Sequence, residues 1–263
     1  MNLGLEGKIA LVAASSRGLG RAIAAELAAE GARLILCARN EEAVQHAAQE
    51  IAESTGAEVI AMQADLSRRD HIYRLAKDVL ARVGHIDVLV TNAGGPPSGS
   101  FESLDAGMWD TAYRLTLQSA VELTRCVLPE MKRRRWGRIL NVTSITVKQP
   151  VENLMLSNSL RAAVTGFART LANEVAPFGI TVNNMLPGYT RTDRVVELAE
   201  ATSRREGITP EAVMARIESQ IPMGRLGEPK EFAALAAFLA SERASYITGQ
   251  SIAVDGGWIR SMD

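Results

Sequence analysis

The chain has 263 residues, of which 47% are hydrophobic and 22% are charged, and its formal net charge is −1. These values are typical of a globular protein with a large core, and they argue against a membrane protein and against nucleic-acid binding. No apolar run approaches the length that spans a bilayer, and the N-terminal MNLGLEGKIALV lacks the pattern of a secretory signal. We expect a cytoplasmic protein without a membrane or nucleic-acid partner, in which Cys37 and Cys126 are two buried thiols.

Short apolar segments alternate along the chain with amphipathic ones. Seven segments are predicted as strands: Lys8–Ala14, Ala32–Ala38, Glu58–Ala64, Asp87–Ala93, Gly137–Ser144, Gly179–Pro187 and Gln250–Gly257. Helical spacing predicts a first helix that stops at Gly31 and two long helices, Trp109–Arg135 and Leu160–Ala176. The alternation predicts an α/β fold: a single doubly wound domain over residues 1–263, with a parallel sheet of about seven strands and helices on both faces.

Two charged segments and the three histidines need separate interpretation. The charged segment 190–229 is predicted to form a helical flap over the carboxyl edge of the sheet, where ligands bind in such folds. The run KRRRW, Lys132 to Trp136, is interpreted as a helix end, where cations suit the helix dipole. His46, His71 and His85 lack metal-ligand spacing, so we expect no metal site.

A Gly-rich turn follows the first predicted strand. Its sequence is AASSRGLG, and the residues assigned to cofactor binding are Ala14, Ser15, Ser16, Arg17, Gly18, Leu19 and Gly20. Glycines at a strand-to-helix turn allow backbone N–H groups to approach a pyrophosphate at the positive end of the helix. An ordinary turn between a strand and a helix is the alternative reading of this motif alone.

The end of the second predicted strand indicates which dinucleotide is bound. An acidic residue at this place binds the 2′-hydroxyl of the ribose in NAD proteins, but here the sequence is Arg39-Asn40. Arginine can bind a 2′-phosphate with paired donors, and Arg17 adds a second positive charge. These residues favour NADP(H) over NAD(H).

An ordered set of motifs resembles the short-chain dehydrogenase/reductase family over the whole chain, and most resembles its 3-oxoacyl-carrier-protein-reductase-like members. The motifs are AASSRGLG, ADLS (64–67), TNAGG (91–95), NVTS (141–144), LPGYTRT (186–192) and GQSIAVDGG (249–257). The resemblance implies a Rossmann-type fold and an oxidoreductase acting on a carbonyl/alcohol pair, as a homotetramer or dimer built from the two long helices. It also implies cofactor contacts at Asp65, Leu66, Asn92, Ala93, Gly94, Arg161, Pro187, Gly188 and Thr190.

The catalytic set departs from the pattern that the resemblance implies. The family serine corresponds to Ser144, whereas Ser157 stands where the tyrosine belongs and Arg161 where the lysine belongs. Thr116 corresponds to the family asparagine, and Ala14 replaces the first glycine of the turn. Serine is a much weaker acid than tyrosine, and arginine stays protonated, so a water molecule is the expected proton source.

Two readings of this substituted site stay open. In the first, Ser144, Ser157 and Arg161 form an electrostatic site for a carbonyl oxygen, with Tyr189 and Lys148 as alternative proton donors from neighbouring loops. In the second, the chain is a nucleotide-binding pseudoenzyme that acts as a sensor or as the partner of an active subunit.

Overall fold

A seven-stranded parallel sheet forms the centre of the structure, a computed structural model that describes residues 2–262. The strands are β1 (Ile9–Ala13), β2 (Arg33–Ala38), β3 (Val59–Gln63), β4 (Val88–Thr91), β5 (Gly137–Val142), β6 (Ile180–Pro187) and β7 (Ser251–Val254). Their order across the sheet is β3-β2-β1-β4-β5-β6-β7, and every neighbouring pair is parallel. The predicted doubly wound α/β fold is confirmed.

Helices cover both faces of this sheet. They are α1 (Gly18–Ala29), α2 (Glu41–Thr55), α3 (Arg69–Val83), α4 (Ala106–Tyr113), α5 (Ser119–Arg134), α6 (Met155–Val175), α7 (Asp193–Glu206), α8 (Pro210–Gln220) and α9 (Pro229–Ala240). One apolar core joins α1, α2 and α9 to one face, and a second joins α3, α5 and α6 to the other. The five inner strands are mostly buried, whereas the edge strands β3 and β7 are largely half-buried, because each has a neighbour on one side only.

Local sequence explains where several helices begin and end. Asn40 caps α2 by accepting a hydrogen bond from the Ala43 N–H at 2.9 Å, and Gly56 ends that helix in the left-handed conformation. The predicted first helix ends at Ala29, two residues before Gly31. Lys132, Arg133 and Arg134 of the KRRRW run lie in the last turn of α5, as the dipole argument expects, and Arg135 is its C-cap.

The two long predicted helices differ from the structure in detail. The segment predicted as Trp109–Arg135 begins earlier, at Ala106, and is divided by a π-helical turn over Arg114–Gln118. Such a turn replaces the i→i+4 hydrogen-bond pattern with i→i+5 over a single turn, and the apolar spacing of the whole segment did not predict it. The other helix, α6, begins at Met155 rather than Leu160, so its first turn carries Ser157.

A row of buried polar side chains crosses the sheet beneath its carboxyl edge. The Thr91 hydroxyl donates to the Asn141 side chain at 2.7 Å, and the Asn141 amide donates to Asn184 at 3.2 Å. Asn184 in turn donates to the Ser251 hydroxyl at 3.2 Å. These residues are register partners on β4, β5, β6 and β7, so the row stabilises one alignment of the strand ends.

Candidate active site

A cleft of about 1100 Å³ opens at the carboxyl ends of the strands. It is lined by the loops that follow β1, β2, β4, β5 and β6, together with α6 and α7. The sheet order changes direction between β1 and β4, and ligands bind at such a point in open α/β sheets. Most of the residues predicted to bind cofactor line this cleft: Ala14, Ser16, Arg17, Gly18, Leu19, Arg39, Asn40, Leu66, Asn92, Ala93, Gly94, Arg161, Pro187, Gly188 and Thr190.

Three residues of the predicted cofactor set are not on the cleft wall. Ser15 is fully buried; its hydroxyl donates to the Val12 carbonyl and accepts from the Cys37 N–H, so it holds β1 against β2. Asp65 accepts hydrogen bonds from the N–H and hydroxyl of Ser67. The pKa of Asp65 lies below its usual value, because these hydrogen bonds and nearby cations outweigh the effect of its partial burial.

Gly20 is the third predicted cofactor residue that does not line the cleft, and it packs against the backbone of Ala14. A Cβ at Gly20 would lie 2.4 Å from the Ala14 carbonyl oxygen and 2.9 Å from the Asn92 side-chain nitrogen. Only glycine fits this contact, which brings α1 close to the end of β1. The substituted first position is accommodated with strain, because Ala14 adopts a φ of 48°, in the left-handed region that favours glycine.

The N-terminus of α1 has the properties of an anion-binding site. Its first turn carries no acidic residue, and the N-cap Arg17 makes no side-chain capping bond, so within residues 2–262 the first N–H groups have no side-chain acceptor. Gly18 has a φ of 59°, in the left-handed region that favours glycine, and it lines the cleft. A glycine turn, a free helix N-terminus and a large cleft all fit a dinucleotide.

The two cations that favour a 2′-phosphate differ in their surroundings. Arg39 is exposed at the end of β2 and lies close enough to Asp65 to lower the pKa of that carboxyl. Arg17 instead forms an ion pair with Asp193 of α7 at 2.8 Å, and its other terminal nitrogen is 3.9 Å from Glu197. Arg39 therefore has the freer guanidinium of the two.

The inner wall of the cleft contains Ser144, Ser157 and Arg161. Ser144 lies two residues after the end of β5, and its hydroxyl oxygen accepts a hydrogen bond from the Thr146 N–H at 3.2 Å, which leaves its proton available to a ligand. Ser157 is 7% exposed, and its hydroxyl makes no hydrogen bond within the described chain. Arg161 lies four residues further along α6, on the same helix face as Ser157.

Arg161 is a buried and firmly held cation. Its Nη1 donates to the carbonyl oxygens of Val142 and Thr143, at 2.8 and 2.7 Å, where β5 ends. Burial, together with the positive charge of Arg194, lowers the pKa of Arg161 to about 10. The guanidinium therefore remains charged at neutral pH and is a poor general base.

Thr116 and the two alternative proton donors lie differently from the serines. Thr116 is in the π-helical turn; Leu115 lines the cleft but Thr116 does not, and its buried hydroxyl has no partner within residues 2–262. Lys148 is exposed and is not part of the cleft wall. Tyr189 does line the cleft, but its ring packs edge-on against Trp258, and burial raises its pKa.

Arg194 is a cleft residue that the sequence analysis missed. Its Nη2 donates to the Pro96 carbonyl at 2.8 Å, and its guanidinium lies so close to Gly95 that a Cβ there would be 2.5 Å from Nε. Arg194 thus reaches from α7 to the loop after β4. The sequence feature that could have identified Arg194 is a basic residue in the first turn of a helix. That helix begins six residues after Pro187, at the carboxyl edge of the sheet.

Comparisons with known proteins place this fold and cleft in one family. Residues 13–259 match the family described as enoyl-(acyl carrier protein) reductase. The 3-oxoacyl-[acyl-carrier-protein] reductase of Aquifex aeolicus is 34% identical over 98% of this chain and 99% of its own, and the NADPH-dependent reductase BacG of Bacillus subtilis is 32% identical over 97% and 99%. L-sorbose reductase from Gluconobacter frateurii, solved with NADPH and L-sorbose, superposes with a TM-score of 0.94 at 31% identity, with all of both chains covered.

The doubly wound α/β fold, with its cleft at the carboxyl edge, is the fold of a Rossmann-type protein. The chain belongs to the short-chain dehydrogenase/reductase family and is an oxidoreductase of that type. Within residues 2–262, no helix is both long enough and apolar enough to cross a membrane.

Proposed function

We propose that this protein is an NADP(H)-dependent oxidoreductase that interconverts a carbonyl compound and its alcohol through Ser144, Ser157 and Arg161. The observation that carries the proposal is the arrangement of these three residues: two hydroxyls and one buried guanidinium on the wall of a single cleft. NADPH-dependent reduction by BacG, and the NADPH bound to L-sorbose reductase, support the choice of cofactor.

The cofactor would be held by the loops that follow β1, β2 and β4. The turn at residues 14–20 and the N-terminus of α1 suit its pyrophosphate, and Arg39 suits the 2′-phosphate. Asn92, Ala93 and Gly94 line the middle of the same cleft, and Pro187, Gly188 and Thr190 line its far end. When bound, the cofactor supplies or accepts a hydride at the carbon of the substrate.

The residues of this chain act on the substrate oxygen. Ser144 and Ser157 donate hydrogen bonds to that oxygen as negative charge develops on it, and Arg161 adds a fixed positive charge. The two carbonyls that anchor Arg161 hold the charge in place before the substrate arrives, so little reorganisation is needed. A water molecule next to Ser157 relays a proton from the solvent to the substrate oxygen, because neither serine nor arginine is an effective acid at neutral pH.

Serine-to-alanine variants test this arrangement. Ser144→Ala and Ser157→Ala should each lower kcat by about 10²–10³-fold, which is typical for the loss of one donor to a developing oxyanion. Ser245→Ala is the matched control, because Ser245 is exposed and lies outside the cleft. NADPH oxidation is followed over ketones, diketones and 3-oxoacyl thioesters, the last class being suggested by the Aquifex relative.

The double variant Ser157→Tyr with Arg161→Lys separates a specialised site from an inactive one. If the native site is a working variant, its own reaction should fall when the pair is changed. If the wild type turns over none of the panel and the double variant gains activity on generic ketones, the chain is a pseudoenzyme and the catalytic proposal is wrong.

The remaining features follow from the same proposal. One NADP-binding domain spans residues 1–263, segment 190–229 covers the cleft as a flap, and Thr116 supports the site from the π-helical turn. The protein is proposed to be a cytoplasmic homotetramer or dimer built on the two long helical segments, 109–135 and 160–176, and exposed Tyr113 and half-buried Phe167 on these segments support this assembly. Light scattering of the purified protein tests its oligomeric state.

A further inference from the structure

The candidate site contains a buried cation without a compensating anion. Arg161 is 8% exposed, and no carboxylate within residues 2–262 lies at salt-bridge distance from it. Its Nη1 is fully used by two backbone carbonyls, whereas Nε and Nη2 have no hydrogen-bond acceptor in the described chain. An isolated buried charge is costly, and buried cations are normally paired with an anion.

A second guanidinium lines the same cleft. Arg194 comes from α7, on the flap side, and its side chain is 34% exposed. Its charge lies near enough to lower the pKa of Arg161, so the two like charges repel each other in the absence of a ligand. Glu197 compensates Arg194 only in part, because its carboxylate is 3.6 Å from Nη1 and faces Arg17 as well.

The cofactor leaves the charge on Arg161 unbalanced. The phosphate-binding features of the cleft, Gly18 at the N-terminus of α1 and the exposed Arg39, belong to the loops after β1 and β2. Arg161 instead projects from α6 at the end of β5, beside Ser144 and Ser157. Ribose hydroxyls are neutral, so a hydrogen bond from Arg161 to the cofactor ribose would not supply a counter-ion.

Part of the cleft wall next to the two arginines is apolar. Ile145, Val151, Leu154 and Val195 line the cleft next to the candidate catalytic serines. A partly apolar wall with two cations in the same cleft suits a ligand that has a hydrocarbon body and one anionic group. Arginine binds a carboxylate with two parallel hydrogen bonds, and the free Nε and Nη2 of Arg161 are the edge that such a pair uses.

We propose that the substrate is an oxo acid: a carbonyl compound with an apolar body and a carboxylate that Arg161 and Arg194 bind while Ser144 and Ser157 hold the carbonyl oxygen. This inference rests on the proposed oxidoreductase function. In the direction of reduction, the carbonyl carbon gains a hydride from NADPH, the oxygen gains a solvent proton that a water molecule relays, and the hydroxy acid and NADP⁺ leave. The carboxylate itself is unchanged.

Binding without chemistry is the first test. Hexanoate and hexanamide are titrated against the NADPH-loaded protein by calorimetry; they have the same length, and only the first is charged. The wild type should bind hexanoate about 10–100-fold more tightly than hexanamide, as expected for a charge-assisted pair. Arg194→Gln should remove most of this preference, whereas Arg191→Gln, which changes an exposed flap arginine paired with Glu228, should leave it intact.

A second variant tests Arg161, the more buried of the two arginines. Arg161→Lys keeps the charge but loses the planar pair of donors, so hexanoate should bind at least fivefold more weakly while the affinity for hexanamide is unchanged. Melting curves show whether each variant is folded. Equal affinity of the wild type for hexanoate and hexanamide, or full retention of the preference in Arg194→Gln, would overturn the proposal.

Turnover assays separate a failure of the oxo-acid proposal from a failure of the proposed oxidoreductase function. We expect 2-oxo, 3-oxo or 4-oxo hexanoate to be reduced with a higher kcat/KM than its methyl ester, mainly through a lower KM, and Arg194→Gln to remove the difference. Reduction of esters as efficiently as acids would contradict the oxo-acid proposal and leave the oxidoreductase function standing. Carboxylate-selective binding without turnover of any carbonyl would support the anion site and contradict the proposed function.

Discussion

Replacing Gly20 by alanine tests how closely the turn between β1 and α1 is packed. The added methyl group would lie 2.4 Å from the Ala14 carbonyl oxygen, so the two backbone segments must separate by about 0.6 Å to reach a tolerable 3.0 Å. The Asn92 side chain, 2.9 Å from the same position, blocks a movement of the methyl group towards the cleft. The variant must therefore displace the turn itself.

Overpacking of this kind costs about 1–3 kcal/mol of folding free energy. For a chain of this length, each kcal/mol lowers Tm by about 2–4 °C. The affinity for NADPH should fall at least tenfold, because the displaced turn no longer presents its N–H groups to a phosphate. Calorimetric melting and a fluorescence titration with NADPH measure the two effects on the same sample.

Gly166→Ala is the control for the glycine-to-alanine change itself. Gly166 lies on the exposed face of α6, and an added Cβ would have no atom within 4 Å. That variant should keep the NADPH affinity, because Gly166 does not line the cleft. If Gly20→Ala has the Tm and NADPH affinity of the wild type, the close packing assigned to the turn is wrong.

Three further predictions concern the cleft and its neighbouring strand. Ala14→Gly should raise Tm by about 1–4 °C, because it relieves a left-handed alanine whose cost exceeds the added chain entropy; an unchanged or lower Tm would argue against that strain. Arg39→Ser should weaken NADPH binding about 10–100-fold and leave NADH binding unchanged, and fluorescence titrations that show equal losses for both would exclude a role in 2′-phosphate binding. Cys37, whose burial raises its pKa to about 12, should resist a disulfide reagent at pH 8 in the folded protein and react after unfolding in urea, whereas reaction at the rate of a free thiol would contradict its burial.

The sheet and the turn after its first strand were predictable from the sequence. Continuous apolar segments such as residues 8–14 and 32–38 have the pattern of buried parallel strands, and β1 and β2 lie within them. The glycines of residues 18–20 have a local reason, since a strand must turn into a helix without room for a side chain at Gly20. Such local patterns are predictable because the elements that they connect are close together in the sequence.

Only part of the charge arrangement at the site could be predicted from the sequence. The positions of Ser144, Ser157 and Arg161 could be compared with a family pattern, but the anchoring of Arg161 on two strand carbonyls depends on the packing of α6 against β5. Arg194 was missed because its partner Pro96 lies 98 residues away along the chain. The π-helical turn was missed because it is a local change of hydrogen bonding over five residues within a long helical segment.

The central claim is that the cleft binds NADP(H) and uses it on a carbonyl compound. Its most direct test is a fluorescence titration of the purified protein with NADPH and NADH, followed by an assay of NADPH oxidation over the carbonyl panel. We expect a Kd for NADPH at least tenfold below that for NADH, with turnover that Ser157→Ala reduces by about 10²–10³-fold. Failure to bind either nucleotide would contradict the cofactor assignment, and tight NADPH binding without turnover of any carbonyl would contradict the catalytic one.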